Sequence, residues 1–195
     1  LLNSVLACAM EVVGANGAGL TLLDPDTNAL VFRAAIGDGA EGIIGYQVPL
    51  QGSQHGLAFA TGEVQASSPL NSDIEASANA VFRNVLVAPL MVDDDPVGTI
   101  SAVNKEGADH FTAEDMQAYR RFADLAAVVV RQNQRENAFS ASLEDSSISG
   151  GADYALAESD RQLLQLVRQL AAINRQRPDQ LDMCAQLITL LQGRK

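Results

Sequence analysis

The run Asp95-Pro-Val-Gly-Thr-Ile-Ser-Ala-Val-Asn-Lys105, with His110-Phe-Thr-Ala-Glu-Asp115 close behind it, decides how the rest of the chain is read. Asp93, Asp94, Asp95 and Pro96 make a tight turn, because Asp side chains bond nearby backbone and Pro fixes φ. Residues 97–103 are β-rich with small polar side chains interleaved, which predicts a half-buried strand. Phe111 and Thr112 then open a helix. Thr112 caps it, and Asp115 stands where a carboxylate reaches back to the cap.

Upstream, residues 84–92 read as a strand with Val85, Val87, Pro89 and Met91 on one face. Pro89 puts part of that strand at an edge or a bulge. Residues 74–82 predict a short helix capped near Ser72 or Asp73, after a turn-rich loop over 67–72. Ser53 caps a helix that runs through Thr61 and is closed by Gly62. A short extended piece over 46–50 precedes it, and a brief strand over 64–66 follows. Strands over 19–23 and 29–36, joined by the turn Asp24-Pro-Asp-Thr-Asn28, predict a hairpin. In its return strand Leu30, Phe32 and Ala34 alternate with Val31, Arg33 and Ala35, which sets Arg33 on the face opposite Phe32. Leu2, Val5, Leu6, Ala9, Met10 and Val13 recur at helical spacing, and Gly14 with Asn16-Gly17 ends that helix. The glycine-rich loop over 37–45 fits neither a P-loop nor GxGxxG. Its Asp38 and Glu41 repel phosphate, so it reads as a plain connection.

Downstream, residues 113–137 form the longest helix, with Met116, Tyr119, Phe122, Ala123, Ala126, Val129 and Val130 in one apolar stripe. Residues 138–154 are a Ser/Gly-rich linker without periodicity. Helical patterns over 155–175 and 181–191, broken at Pro178, make a hairpin appendage spanning 155–195. Two such helices bury little area alone, so they dock on the first domain, across a dimer or on a partner. Their lack of a basic face speaks against a helix-turn-helix DNA reader.

The 195 residues allow one ordinary domain plus something smaller, and 47% apolar with 19% charged content is globular. A net charge of −11 argues against nucleic-acid and anionic-membrane partners. No apolar run approaches the ~20 residues that span a bilayer. The chain opens at Leu1-Leu2-Asn3 inside a helical pattern, which predicts a fragment of a larger polypeptide with no signal peptide. Cys8 and Cys184 lie on apolar helix faces and read as reduced core residues of a cytoplasmic protein. Without Trp and with three Tyr, base-stacking platforms are not evident.

Together, Asn104-Lys105, the Phe111-Thr112…Asp115 helix start, Gly52-Ser-Gln-His-Gly-Leu-Ala-Phe-Ala-Thr-Gly-Glu63 and Arg83-Asn-Val-Leu-Val-Ala-Pro-Leu90 resemble a GAF domain over residues 1–137. Two positions depart from the family's patterns. His55 stands where a small or apolar residue is common, and Met116 stands where the cyclic-nucleotide-binding members have Glu. The resemblance implies an α/β (α+β) fold: a central antiparallel sheet with helices on both sides. It also implies that the first and last helices pack behind the sheet and serve as a homodimer seam. A Lys105–Asp115 salt bridge is implied in turn, with Asn104 and Phe111 fixing the strand-to-helix corner. In many GAF domains that set builds the corner without touching a nucleotide.

The family's sensory role implies a pocket between the sheet and the loop-helix side, over residues 52–82. Arg33, His55, Phe59, Phe82, Thr99 and Ser101 are the candidate ligand-binding residues, since apolar walls with a few polar groups suit a small ligand. Of the two imidazoles, His55 is the candidate for the axial haem ligand that some relatives use, while His110 falls in an exposed loop. A lone His is more often a packing residue, and no metal-ligand cluster accompanies either one. There is no Gly-x-Ser-x-Gly elbow, no HExxH and no pocket cysteine, so an enzyme is not expected. The expected function is a small-molecule-sensing or regulatory domain that couples pocket occupancy to its long helix, its dimer state and a signalling output domain. The alternative is a ligand-free scaffold for dimerisation or protein docking. The cofactor, if any, and the ligand are not specified by these residues.

Overall fold

The computed structural model describes residues 1–40, 42–67, 74 and 80–144, with the side chains of the last helix described through Gln134. Its elements are α1 (Leu2–Val13), β1 (Ala15–Asp24), β2 (Ala29–Gly37), β3 (Gln47–Val48), α2 (Gln54–Thr61), β4 (Gln65–Ser67), β5 (Val85–Val92), β6 (Asp95–Lys105) and α3 (Ala113–Glu144). The strands form one six-stranded antiparallel sheet in the order β3-β2-β1-β6-β5-β4. The stretch quoted first is therefore a central strand, paired with β1 on one side and β5 on the other.

Alternation along the strands divides the core in two. Leu20, Leu86, Ala88, Ile100 and Ala102 face α1 and α3, and pack with Leu6, Tyr119 and Phe122. Val85, Val87 and Val103 face the other way, and pack with Phe32, Ile43, Val48 and Phe82, and with Ala58 of α2. Helices thus cover both sheet faces, as the resemblance implies. Truncating Leu86 or Ile100, each fully buried in the helix-side cluster, to Ala is expected to cost about 2–5 kcal/mol.

Several local features differ from the sequence reading. In β2 the register slips opposite Leu20 and Thr21, which pair with Ala34 and Phe32 and leave Arg33 as the extra residue of a β-bulge. The bulge resets the alternation: Ala34 joins the helix-side core, whereas Ala35 joins Phe32 on the other side. Strand β1 begins at Ala15 rather than 19, because Gly14 alone, left-handed at φ 62°, ends α1. The β5–β6 turn is only Asp93-Asp94, both with positive φ as a type I′ hairpin loop requires. Strand β6 accordingly starts at Asp95, before the expected 97. Pro89 is tolerated because β4 pairs only with residues 85–87 of β5 and leaves that side of Pro89 without a sheet partner.

The Ser53 cap on α2 forms as expected: its Oγ accepts from the Gly56 N–H at 2.9 Å, and Gly62 closes the helix at φ 69°. Helix α3 continues past 137 to Glu144. Most of the helix expected over 74–82, the rest of the linker and the appendage over 155–195 lie outside the described residues, as does Cys184. Ile74 is helical and buried, and Cys8 is buried and unbridged. Among the described residues no helix is long and apolar enough to cross a membrane.

Candidate functional site

On the sheet face under α2 the side chains leave a cavity of about 30 Å³. That is room for about two waters. Phe32 and Ala35 of β2, Ser101 and Val103 of β6, His55 of α2 and Phe82 line it. Gly19 gives the space for the Phe32 ring, since a Cβ there would lie 2.7 Å from it. Gly56 does the same for α2, where a Cβ would fall 2.0 Å from the Leu50 carbonyl oxygen. The helix therefore sits close enough to bring His55 over the sheet.

His55 is 3% exposed, and burial lowers its pKa from the ordinary 6.5 to about 4, so the ring is neutral near pH 7. Its Nδ1 lies 2.7 Å from the Thr99 hydroxyl, which lies 2.7 Å from the Thr21 hydroxyl on the neighbouring strand. Its ring meets Phe32 edge-on at 5.2 Å. The Ser101 hydroxyl donates to the Gly19 carbonyl at 3.4 Å.

Of the six candidates, His55, Phe82 and Ser101 line the cavity. Thr99 stands one layer behind and acts on it through His55. Phe59 packs against the same core without reaching the cavity. Arg33 is a correction: in its bulge it is turned outward, with its Nη2 3.4 Å from Asp24 Oδ2 at the surface. The loop read as a plain connection also needs correcting, because Asp38, Gly39 and Ile43 form one wall of the cavity. Nothing in the loop's composition signals this beyond its acidic residues. His110 is exposed, and no cluster of three potential metal-ligating side chains occurs among the described residues.

The motif residues form a junction between the cavity and the helices. Asn104 is buried at φ 57°, a conformation that Asn tolerates. Its Nδ2 donates to Asp38 Oδ2 at 2.9 Å and to the Val81 carbonyl at 3.2 Å, and its Oδ1 accepts from the Arg83 N–H at 2.8 Å. One amide thus holds the loop before β5 and the loop after β2. Asn84, which sequence reasoning passed over, accepts from the Lys105 N–H at 2.8 Å and donates to the Ala108 carbonyl at 3.4 Å.

Lys105 faces the other way. Its Nζ donates to the Val13 carbonyl at the end of α1, at 3.0 Å, and to Asp115 Oδ1 in the first turn of α3, at 2.8 Å. It also lies 5.6 Å from the centre of the Phe111 ring. The other Asp115 oxygen accepts from the Thr112 N–H at 2.7 Å and the Thr112 hydroxyl at 2.9 Å, completing a capping box. Burial raises the Asp115 pKa, but Lys105 and Thr112 more than offset it and hold the carboxyl below its ordinary value. A second tie joins α2 to α3: the Arg120 guanidinium donates to the Gly62 carbonyl at the C-terminus of α2.

Comparison with known proteins is consistent with this architecture. A family model described as GAF domain matches residues 1–131. The second GAF domain of DevS from Mycobacterium smegmatis is 26% identical, over 69% of this chain and 94% of that one, with a TM-score of 0.58. Another structure, of the DevS GAF-B domain from the same organism, is 28% identical over 68% and 93% of the two chains, TM-score 0.56. The GAF domain of a phosphoenolpyruvate-protein phosphotransferase from Coxiella burnetii has a similar fold at 15% identity, covering 69% and 82%, TM-score 0.57. No curated protein matches the chain. With the family model spanning 131 of its 195 residues and the fold described above, the chain belongs to the GAF family of sensory and regulatory domains.

Proposed function

We propose that the chain is a non-catalytic, cytoplasmic sensory module in which the state of the β-sheet cavity is relayed to α3, and through α3 to a homodimer partner and an output domain. One observation carries this reading. Consecutive residues of β6 grip opposite sides of the molecule: Asn104 holds the cavity loops through Asp38 and Val81, while Lys105 holds α1 and α3 through Val13 and Asp115. A ligand that displaces Phe82 or Asp38 must strain Asn104, and Lys105 follows because the two share a peptide unit. The Arg120–Gly62 contact gives α2 a second route to the same helix. Helix α3 runs to Glu144, roughly 20 Å beyond Val130 at 1.5 Å per residue, a length suited to transmitting a shift.

The test combines a thermal-shift screen of small molecules with hydrogen exchange. A compound that raises the melting temperature and changes exchange in the first turn of α3 supports the reading. Binding that leaves α3 unchanged contradicts it. A second reading rests on the cavity's small volume: as folded, its own side chains leave room for only about two waters. That favours a ligand-free scaffold for dimerisation or docking, which predicts a dimer in sedimentation that is indifferent to every compound.

A further inference from the structure

One buried residue of α3 belongs to neither core cluster. Tyr119, Ala123, Ala126 and Val130 pack into the core on the sheet side of the helix. At about 100° per residue, Leu125, Val128 and Gln132 stand roughly 120–180° round the helix from the middle of that stripe. Leu125 is nevertheless only 8% exposed, and Val128 and Gln132 are half-buried. The helix-side cluster takes in Leu6, Cys8 and Val12 of α1 but not Leu125, and the second cluster lies across the sheet. The cover over Leu125 therefore comes from outside the two cores. It comes from this chain, because the burial is that of a single copy.

Sequence spacing carries the same stripe on to Phe139 and Leu143, which fall in the same sector of α3. A helix side bearing Leu125, Val128, Phe139 and Leu143 calls for an apolar partner. Residues 155–175 offer one, since Leu163, Leu166, Val167, Leu170 and Ile173 recur at helical spacing. The lengths agree. From Glu144, where α3 ends, back to Leu125 is about 29 Å, and a helix over 155–175 is about 31 Å, both at 1.5 Å per residue. The linker over 145–154 reaches about 33 Å when extended, ample for the ~10 Å between packed helices. Run back along α3, that helix sets Leu170 and Ile173 level with Leu125 and Val128, and Leu156 level with Leu143. We propose that residues 155–175 dock antiparallel on the outward side of α3 and close the stripe from Leu125 to Leu143. The segment then competes with a second copy for that side of α3. This docking goes beyond the sensory reading and stands or falls without it.

The test is methyl NOE spectroscopy on the full chain with 13C-labelled Ile, Leu and Val methyls. The expected result is NOEs from Leu125 and Val128 to Leu170 and Ile173. In a mixture of labelled and unlabelled chains, a half-filtered experiment should show none of them. Absence of NOEs between α3 and residues 155–175, NOEs to residues 181–191 in their place, or NOEs that survive the filter each overturn the proposal. Leu170→Asp in the full chain should remove the NOEs and speed amide exchange at Leu125 and Val128 about tenfold, with Ile100 unchanged. Exchange at the wild-type rate contradicts the docking. Sedimentation should show a larger dimer fraction for Leu170→Asp than for wild type, and an equal or smaller one overturns the competition. If Leu170→Asp precipitates, the wild-type spectra still decide.

Discussion

The side-chain amide of Asn104 donates to the Asp38 carboxylate across 2.9 Å, joining the end of a central strand to the loop that walls the cavity. The next residue, Lys105, makes an ion pair of 2.8 Å with Asp115 on the far side of the sheet. The positive φ of Asn104 turns the chain between these two engagements. Cavity and helices thus share one peptide unit.

Asn104 supplies both a conformation and a set of hydrogen bonds, and two substitutions separate them. Asn104→Gly keeps access to positive φ but frees Asp38, Val81 and Arg83 from their partner, and is expected to cost about 1–3 kcal/mol. Asn104→Ala loses the bonds and adds backbone strain of about 1 kcal/mol. Urea unfolding of both variants measures the difference. Equal stability of the two would mean that the left-handed backbone contributes nothing.

Lys105 and Asp115 are 17% and 14% exposed, which places the pair between a surface bridge and a buried one. Lys105→Met should lower stability by about 1–3 kcal/mol, since it leaves Asp115 and the Val13 carbonyl short of a donor. The Asp115 pKa is held below its ordinary 3.8. Its contribution is therefore full above pH 4 and is lost as pH falls through the folded value. The acid-side loss of stability should shrink in Lys105→Met. A curve parallel to wild type across that range would show that Lys105 does not set the Asp115 titration.

Burial lowers the pKa of His55 from 6.5 to about 4. The unfolded chain then takes up this proton at higher pH than the folded one, so the contribution is complete above 6.5 and declines as pH falls toward 4. The full loss is on the order of 3 kcal/mol. Denaturation between pH 7.5 and 4.5, compared with His55→Gln, isolates it. Matching slopes in the two proteins would remove His55 as the cause.

Tyr119 is fully buried, and among the described residues its hydroxyl has no hydrogen-bond partner. Its ring packs with Phe122 at 6.2 Å, and the same burial raises the phenol pKa. Tyr119→Phe keeps the ring and removes the desolvated group, so it should be neutral or stabilising by up to about 1–2 kcal/mol. A fall in melting temperature would reveal a partner for the hydroxyl.

The parts of the molecule governed by local chemistry were legible in the sequence. The Ser53 and Thr112 caps, the Gly14 and Gly62 stops and the Asp24–Asn28 turn each depend on one or two side chains and their own backbone. The quoted motif residues carried the family resemblance and with it the Lys105–Asp115 pair. Features set by cross-strand register were not legible. The bulge at Arg33 is a slip relative to β1, and it turned a residue expected near the ligand out to solvent. Asp38 and Asn84 act through partners dozens of residues away, and nothing near them in the chain announces those partners.

The relay from cavity to helix is tested most directly by hydrogen exchange in Asp38→Ala, a change in a residue with no hydrogen bond to α3 among the described residues. Exchange at the amides of Met116 and Tyr119 should accelerate about fivefold or more relative to wild type. The Ile100 amide, deep in the central strand, reports global unfolding and corrects for any overall loss of stability. If α3 exchange changes only as much as Ile100, the cavity wall and the helix are not coupled, and the relay is contradicted.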